Sequence, residues 1–340
     1  MPKAVILAGG QGERFWPLTH EKFPKYRIRL DGKKSLLVNT YERLGRFYKK
    51  NDIFVVTTKA HKPLIQKELP TLKKENIFIE PARRNTAAAI YLSTALIQAK
   101  YGPDEVVTFF PADHLIQTEA LFSRALHAAV QVAAKKDCLV TLGVKPTFPA
   151  TGFGYIESGA PMSGLRDAYQ VARFTEKPIR RTAQKYIKKG NFYWNVGIFS
   201  WRTQVFIETF KRYCPEMHEV FNIHKIAASY KKFPKLSIDY ALLEKADNMA
   251  LIRTSMDWCD MGNWDMFLKK AQKDKRGNLV MGRAAHLESK DSLVVNYDER
   301  PIFTIGIKDL VVVQSKQGIL ICRSGLAEKA AYFVRNGCKT

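Results

Sequence analysis

Apolar and polar positions follow two rhythms along this chain. In its N-terminal part, short unbroken apolar runs are separated by stretches with helical spacing. The runs are Val5 to Ala8, Ile53 to Thr57, Ile77 to Ile79, Val106 to Phe110 and Leu139 to Val144. Such runs, bounded by turn residues, suit strands buried on both faces. Between them, Ser35 can cap a helix that carries Leu37, Tyr41, Leu44 and Tyr48 on one face. Further helices are expected from about His61, from Asn85 with Ala88, Tyr91, Leu92, Ala95 and Leu96 inward, and from about Glu119 to Ala134. Strands alternating with helices predict an α/β fold, a mostly parallel sheet covered on both faces.

The rhythm changes after Pro146. Gly152, Gly154, Gly159 and Gly164 mark turns between short strands, and mixed helices follow. After about Gln272 it changes again: Asn278 to Cys322 is rich in valine and isoleucine, with Gly and Asp turns and no helical pattern. This reads as a small all-β appendage closed by a helix near Leu326 to Val334. The expected division is a catalytic domain over 1–272 and a β-rich domain over 273–340. No internal repeat or low-complexity linker separates them, so the two parts are expected to pack together.

Composition adds limits. The 340 residues, 46% hydrophobic and 11% aromatic, suit a packed core. No run reaches the roughly 18 apolar residues of a membrane-spanning helix. Ala4 to Ala8 is too short for the core of a signal peptide, so a cytoplasmic protein without membrane association is expected. Cys138, Cys214, Cys259, Cys322 and Cys338 show no Cys-x-x-Cys pair and no metal spacing, which implies reduced thiols. The formal charge of +23 could point to nucleic acid. Much of the excess, however, lies in separated pairs such as Lys49-Lys50, Lys73-Lys74 and Lys188-Lys189, near expected helix ends where cations suit the helix dipole. No long basic block occurs, so no nucleic-acid partner is expected. The charge should speed encounter with anionic substrates.

The first strand breaks into Gly9-Gly10-Gln11-Gly12 with Arg14 close behind. A P-loop fails at Gly32-Lys33, because Lys34 follows and Arg27 stands at the first glycine position. A dinucleotide fingerprint fails because Phe15 occupies the third glycine position and no acidic residue ends the second strand. What remains is Gly-Gly-x-Gly-x-Arg after a strand. Glycines let backbone N–H groups approach phosphate oxygens, and Arg14 can add a two-pronged contact. Lys25, after Pro24, adds a point charge from a stiffened turn.

Leu7-Ala-Gly-Gly-Gln-Gly-Glu-Arg-Phe-Trp-Pro-Leu18 with Pro24-Lys25 resembles the signature of the sugar-1-phosphate nucleotidyltransferases, and most closely the mannose-1-phosphate guanylyltransferases among them. Seven further segments are similar in order: Glu80 to Ile90, Pro111-Ala-Asp-His114, Thr151 to Glu157, Phe174-Thr-Glu-Lys-Pro178, Trp194 to Phe199, Ser237 to Tyr240 and Trp258 to Trp264. Together they cover residues 4 to about 267. The resemblance implies a Rossmann-like, GT-A-like nucleotide-diphospho-sugar transferase fold and a left-handed β-helix-like appendage that helps dimerisation, hence a homodimer. It also implies GTP and mannose 1-phosphate as substrates and GDP-mannose and pyrophosphate as products. Longer members carry an added isomerase domain of cupin type. The chain stops soon after the β appendage, so a single activity is expected.

The implied roles map onto this chain as follows. Arg14 and Lys25 are catalytic. Leu7, Ala8, Gly9, Gly10, Gly12 and Pro111 belong to the nucleotide site, with Glu80, Asn85 and Thr86 as partners for guanine. Helix N-capping by Asn85 or Thr86 is the alternative. Gly154, Glu176, Lys177, Asn195 and Gly197 belong to the sugar-phosphate site. Asp113 and Asp260 would hold Mg²⁺ or another divalent cation, the alternative being two turn aspartates. Two anions must meet, so alignment and charge neutralisation are the task. No strong base is required, because a sugar phosphate is already an anion. Trp194, Phe199 and Phe109-Phe110 read as packing. Ala88, Tyr26 and Val196 depart from the family pattern and loosen the sugar contacts. Heptose or glucose 1-phosphate, or another NTP, is the alternative substrate; a nucleic-acid-binding protein keeping the fold is the remote one.

Overall fold

The computed structural model describes residues 1–10, 12–29 and 33–337. Gln11, Gly32 and Cys338, which figured in the motif readings, lie outside the described residues. In chain order the elements are β1 (Lys3–Leu7), α1 (Leu36–Leu44), β2 (Ile53–Thr58), α2 (Lys62–Glu68), β3 (Ile77–Glu80), α3 (Asn85–Tyr101), β4 (Val106–Pro111), β5 (His114–Ile116), α4 (Glu119–Lys135), β6 (Leu139–Val144), β7 (Tyr155–Pro161) and β8 (Ala168–Thr175). They continue with α5 (Arg180–Lys189), β9 (Phe192–Arg202), α6 (Thr203–Tyr213), α7 (Pro215–Val220), α8 (Ile226–Tyr230), β10 (Met249–Thr254), β11 (Trp258–Asp260) and α9 (Trp264–Lys270). Last come β12 (Leu279–Met281), β13 (Ala284–Leu287), β14 (Leu293–Asn296), β15 (Ile302–Ile305), β16 (Leu310–Ser315), β17 (Gly318–Arg323) and α10 (Ala330–Asn336). Two compact units result. One comprises Met1–Gly9, Tyr41–Ala112 and Ile116–Trp258; the other comprises Gly10–Thr40, Asp113–Leu115 and Cys259–Thr340.

The first unit is built on one sheet, ordered β3-β2-β1-β4-β9-β6-β10-β8-β7. β3, β2, β1 and β4 are parallel, with Val5 opposite both Phe54 and Phe109. All six residues of β2 are buried, as are all six of β6, the signature of strands covered on both faces. Beyond β4 the sheet is mixed. β9 runs antiparallel to β4 and β6, and β7 and β8 form a hairpin whose short connection reverses the chain. Gly159 lies within β7 rather than in a turn; a Cβ there would approach the Gln170 carbonyl at 3.1 Å. α3 lacks the expected one-sided stripe. Ala87 through Ala95 and Ile97 are all buried, so the helix is enclosed on all sides. Its core neighbours include Trp201, whose ring stacks on Phe206 at 4.6 Å.

The second unit coils its C-terminal strands. β12, β14 and β16 pair in parallel with antiparallel β17 at one edge, and β13 pairs in parallel with β15. Leu293 faces Val311 and Ala284 faces Ile302, the same sequence separation in both ladders. Leu293, Val295, Val311 and Val313 point inward, where Phe15, Leu18, Met261, Trp264 and Phe267 complete one core. The apolar residues behind the glycine loop therefore pack with the β coil in this unit. Cys138, Cys214, Cys259 and Cys322 are free thiols. No helix among the described residues is long and apolar enough to cross a membrane.

Candidate active site

In the second unit, three charged side chains from distant parts of the sequence meet. Pro24 leads into a tight turn over Lys25–Arg27 that buries Lys25. The Lys25 Nζ lies 2.7 Å from Asp113 Oδ2 and donates to Asp260 Oδ1 at 2.9 Å. Both carboxylates keep about 30% of their surface, 28% for Asp113 and 30% for Asp260. Burial works against the Lys25 ammonium, but the two aspartates outweigh it and hold its pKa above the usual value. Burial likewise opposes the charged form of Asp260. Lys25, His114 and Arg14 overcome that and take its carboxyl down to about 2. His114 Nε2 stands 4.0 Å from Asp260 Oδ1.

The loop that brings Lys25 here depends on Gly12. Its φ is +79°, and any Cβ would overlap the Lys25 side chain. Thr19 Oγ1 donates to the Gly12 carbonyl at 2.6 Å and closes the loop. Arg14 belongs to the same segment, and its Nη1 lies 3.9 Å from where a Cβ on Gly262 would be. Gly10 is exposed.

Two partly exposed carboxylates sharing one ammonium form an oxygen donor set suited to a hard divalent cation. Among the described residues no group of three His, Cys, Asp or Glu side chains could hold a metal. Asp113 and Asp260 would therefore leave the remaining positions to water and phosphate oxygens, as Mg²⁺ often requires.

The first unit carries the remaining residues singled out above. Leu7 ends β1 with Ala8 and Gly9 just beyond it, and Pro111 ends β4; Leu7 faces Pro111 in the ladder. Thr57 Oγ1 donates to the Ala8 carbonyl at 2.8 Å. A Cβ on Gly9 would come within 2.7 Å of Glu80 Oε1. Glu80 is buried, and its other oxygen accepts from the Tyr230 hydroxyl at 2.5 Å. Burial raises its pKa, against the pull of Tyr230 and Arg83. Asn85 is exposed at φ +67°, and its Oδ1 accepts from Thr86 N at 2.8 Å. Thr86 Oγ1 accepts from Ile238 N at 2.9 Å, so this hydroxyl ties the helix start to another segment rather than capping it.

A second polar group in this unit centres on Asn195. Its Oδ1 accepts from Thr141 Oγ1 and from Gly197 N, each at 3.0 Å, and its Nδ2 donates to Asp239 Oδ1 at 3.1 Å. A Cβ on Gly154 would meet Glu176 Oε2 at 2.6 Å and Asn195 Cβ at 3.3 Å, so only glycine lets these three converge. Lys177 Nζ donates to Glu176 Oε1 at 2.5 Å while Glu176 N donates to Glu244 Oε1 at 2.7 Å. Lys177 holds φ +47°, an unusual backbone for a non-glycine residue and one that marks functional sites. Burial opposes its charge, yet Glu176 and Asp239 raise its pKa. Gly154, Glu176, Lys177, Asn195 and Gly197 thus share one network. Trp194 and Phe199 are buried packing residues.

Asp239, Glu244, Tyr230 and Thr141 join these groups although no motif in the sequence marks a role for them. Asp239 opens a π-helical turn over Asp239–Leu243, a geometry that often accompanies function. Burial and the neighbouring Glu176 raise its carboxyl to about 7, against the pull of Lys177.

Residues 3–277 match the nucleotidyl transferase family. The chain belongs to the nucleotidyl transferase family. In this nucleotidyl transferase, residues 282–335 also match the MannoseP isomerase/GMP-like beta-helix domain. It is 34% identical to the mannose-1-phosphate guanylyltransferase of Klebsiella pneumoniae, over 97% of this chain and 73% of that protein. A mannose-1-phosphate guanylyltransferase of Escherichia coli is likewise 34% identical, over 99% of this chain and 74% of its own. A crystal structure from Thermus thermophilus, described as a mannose-1-phosphate geranyltransferase, superposes with a TM-score of 0.87 at 29% identity and covers 98% of both chains. The family and fold implied by the ordered motifs agree with these relatives.

Proposed function

We propose that this nucleotidyl transferase joins GTP and mannose 1-phosphate into GDP-mannose and pyrophosphate. A phosphate oxygen of the sugar attacks the α-phosphorus of GTP; that P–O bond forms as the bond to the β-phosphate oxygen breaks, and pyrophosphate leaves with the electron pair. The names of relatives that match nearly the whole of this chain support the substrates. The observation that carries the chemistry is Lys25 held between Asp113 and Asp260.

In this reading Lys25 and Arg14 offset phosphate charge, the task that dominates such transfers. Asp113 and Asp260 hold Mg²⁺ or another divalent cation, which when bound supplies a Lewis acid for phosphate oxygens. Gly9, Gly10 and Gly12, with Leu7, Ala8 and Pro111, are assigned to the nucleotide. Glu80, Asn85 and Thr86 offer hydrogen bonds to guanine. Lys177 binds the sugar phosphate, while Glu176, Asn195, Gly154 and Gly197 meet the sugar hydroxyls. Asp239 fixes Asn195. The catalytic part spans 1–272, and the β-rich part 273–340 makes a homodimer. The exposed row Leu287, Phe303 and Ile305 supports that pairing, at 59%, 74% and 69% exposure. The setting is the cytoplasm.

The deciding assay measures pyrophosphate release across NTPs and sugar 1-phosphates. GTP with mannose 1-phosphate should turn over fastest and require a divalent cation. A preference for UTP or dTTP, or for glucose or heptose 1-phosphate, would replace this substrate assignment while leaving the reaction class in place.

A further inference from the structure

The first unit contains a cavity of about 340 Å³ whose lining includes Arg124, Lys145, Arg253, Tyr193 and Asp167. None of these residues has a role in the reaction proposed above. Arg253 is held in place from several sides. Its guanidinium lies 3.4 Å from the centroid of Tyr169 and 5.0 Å from that of Tyr193. Its Nε and Nη2 donate to Ser158 Oγ at 3.1 and 2.5 Å, and its backbone N donates to the Asp167 carbonyl at 3.0 Å. Lys145 lies over the same Tyr193 ring at 4.9 Å, and its Nζ donates to the Gly190 carbonyl. Arg124 enters from α4.

Two cations therefore share one aromatic ring and a third lines the same cavity. The one lining carboxylate, Asp167, sits 3.7 Å from Arg166 Nε. Like charges gathered around a concavity repel one another unless an anion joins them. A planar, immobilised arginine is the side chain best suited to a phosphate group. The volume falls at the lower end of the roughly 300–1,000 Å³ of ligand pockets, which matches a monophosphorylated small molecule rather than a nucleoside triphosphate. Tyr193 offers a ring face for the organic part.

We infer that the cavity formed by Arg124, Lys145 and Arg253 is a second anion site, one that binds the phosphomonoester of a small metabolite. The test uses the full chain and isothermal titration with two separate probes, inorganic phosphate and glucose 6-phosphate. Because either probe can also reach the substrate groups, the discriminating comparison is between variants. Arg124 and Lys145 are exposed, so the double variant Arg124→Glu with Lys145→Glu should fold and keep its turnover with GTP and mannose 1-phosphate. It should lose at least ~10-fold in affinity for a probe, as expected for removing charge-assisted contacts. Arg253→Gln should lose a similar factor, with its melting curve checking the fold. Loss for both probes identifies phosphate alone as the recognised group; loss for glucose 6-phosphate only identifies the sugar phosphate. Unchanged affinity for both probes in the double variant, or no saturable binding to the unaltered protein up to about 10 mM, would overturn the inference.

Discussion

The indole Nε1 of Trp264 donates a 3.1 Å hydrogen bond to the carbonyl of Trp16. Trp264 is fully buried, and its ring meets Phe15 edge-on at 4.8 Å. Nearby, Ser315 Oγ donates to the Pro17 carbonyl at 2.6 Å. The segment that bears Arg14 and Lys25 is thus fastened to residues much later in the chain. Trp264→Phe keeps an aromatic ring but leaves the Trp16 carbonyl without this donor, a loss of about 1–3 kcal/mol for a buried group. The variant should melt several degrees lower, and kcat should fall because the two cations lose their fixed position. A lowered melting temperature with unchanged kcat would show that the segment holds its place without Trp264.

Removing either aspartate of the Lys25 cluster should separate structure from chemistry. Asp113→Ala and Asp260→Ala leave Lys25 with one remaining partner, so the fold should survive while turnover drops by orders of magnitude, as for loss of a metal ligand. Chelation should abolish the activity of the unaltered protein, and added Mg²⁺ should restore it. Lys25→Ala should act mainly on kcat, whereas Lys177→Ala, which removes a cation from the Glu176 and Asn195 network, should act mainly on the KM for mannose 1-phosphate. Steady-state kinetics with each substrate varied in turn checks the division; an effect of both variants on GTP alone contradicts it.

Much of this arrangement is legible in the sequence. The β1, β2, β4 and β6 strands stand out because burial on both faces demands uninterrupted apolar runs. Gly12 could be read because a left-handed turn beside Lys25 leaves no room for a side chain. Other features depend on tertiary contacts that periodicity does not encode. α3 is enclosed on every side, so its inward stripe has no counterpart in the fold. The Glu80 to Tyr230 bond joins residues 150 positions apart, a contact that no local pattern announces. Asp239 stood inside a recognisable segment, but its role follows from Asn195, which approaches only through the sheet.

The Glu80 pair gives a packing prediction. Tyr230→Phe removes the hydroxyl that serves the buried Glu80 Oε2, which should cost about 1–3 kcal/mol. Gly9→Ala would push a methyl to within 2.7 Å of the other Glu80 oxygen and should weaken nucleotide binding by displacing the end of β1. Glu80→Gln keeps the shape and removes the charge that burial disfavours, so it should be less destabilising than Tyr230→Phe. Chemical denaturation of the three variants, with GTP titrations for Gly9→Ala, tests this. Equal stability of Tyr230→Phe and the unaltered protein would mean that Glu80 needs no partner there.

Asp239 sets a pH dependence whose sign is fixed by its raised pKa. Burial and Glu176 lift it from 3.8 in a free chain to about 7 in the folded protein. The folded state therefore binds a proton more tightly than the unfolded one. This contribution is fully present below pH 3.8 and is lost as the pH rises toward about 7, beyond which it no longer changes. Asp239→Asn removes the titration and keeps an acceptor for the Asn195 amide. Between pH 5 and 8 the unaltered protein should lose more stability relative to its maximum than Asp239→Asn does. The variant should also flatten any rise or fall of the mannose 1-phosphate KM across that range, since Asn195 would no longer face a group that changes charge. Parallel denaturation and KM profiles for both proteins would contradict the assignment, because they would mean that Asp239 is already ionised in the fold well below neutral pH.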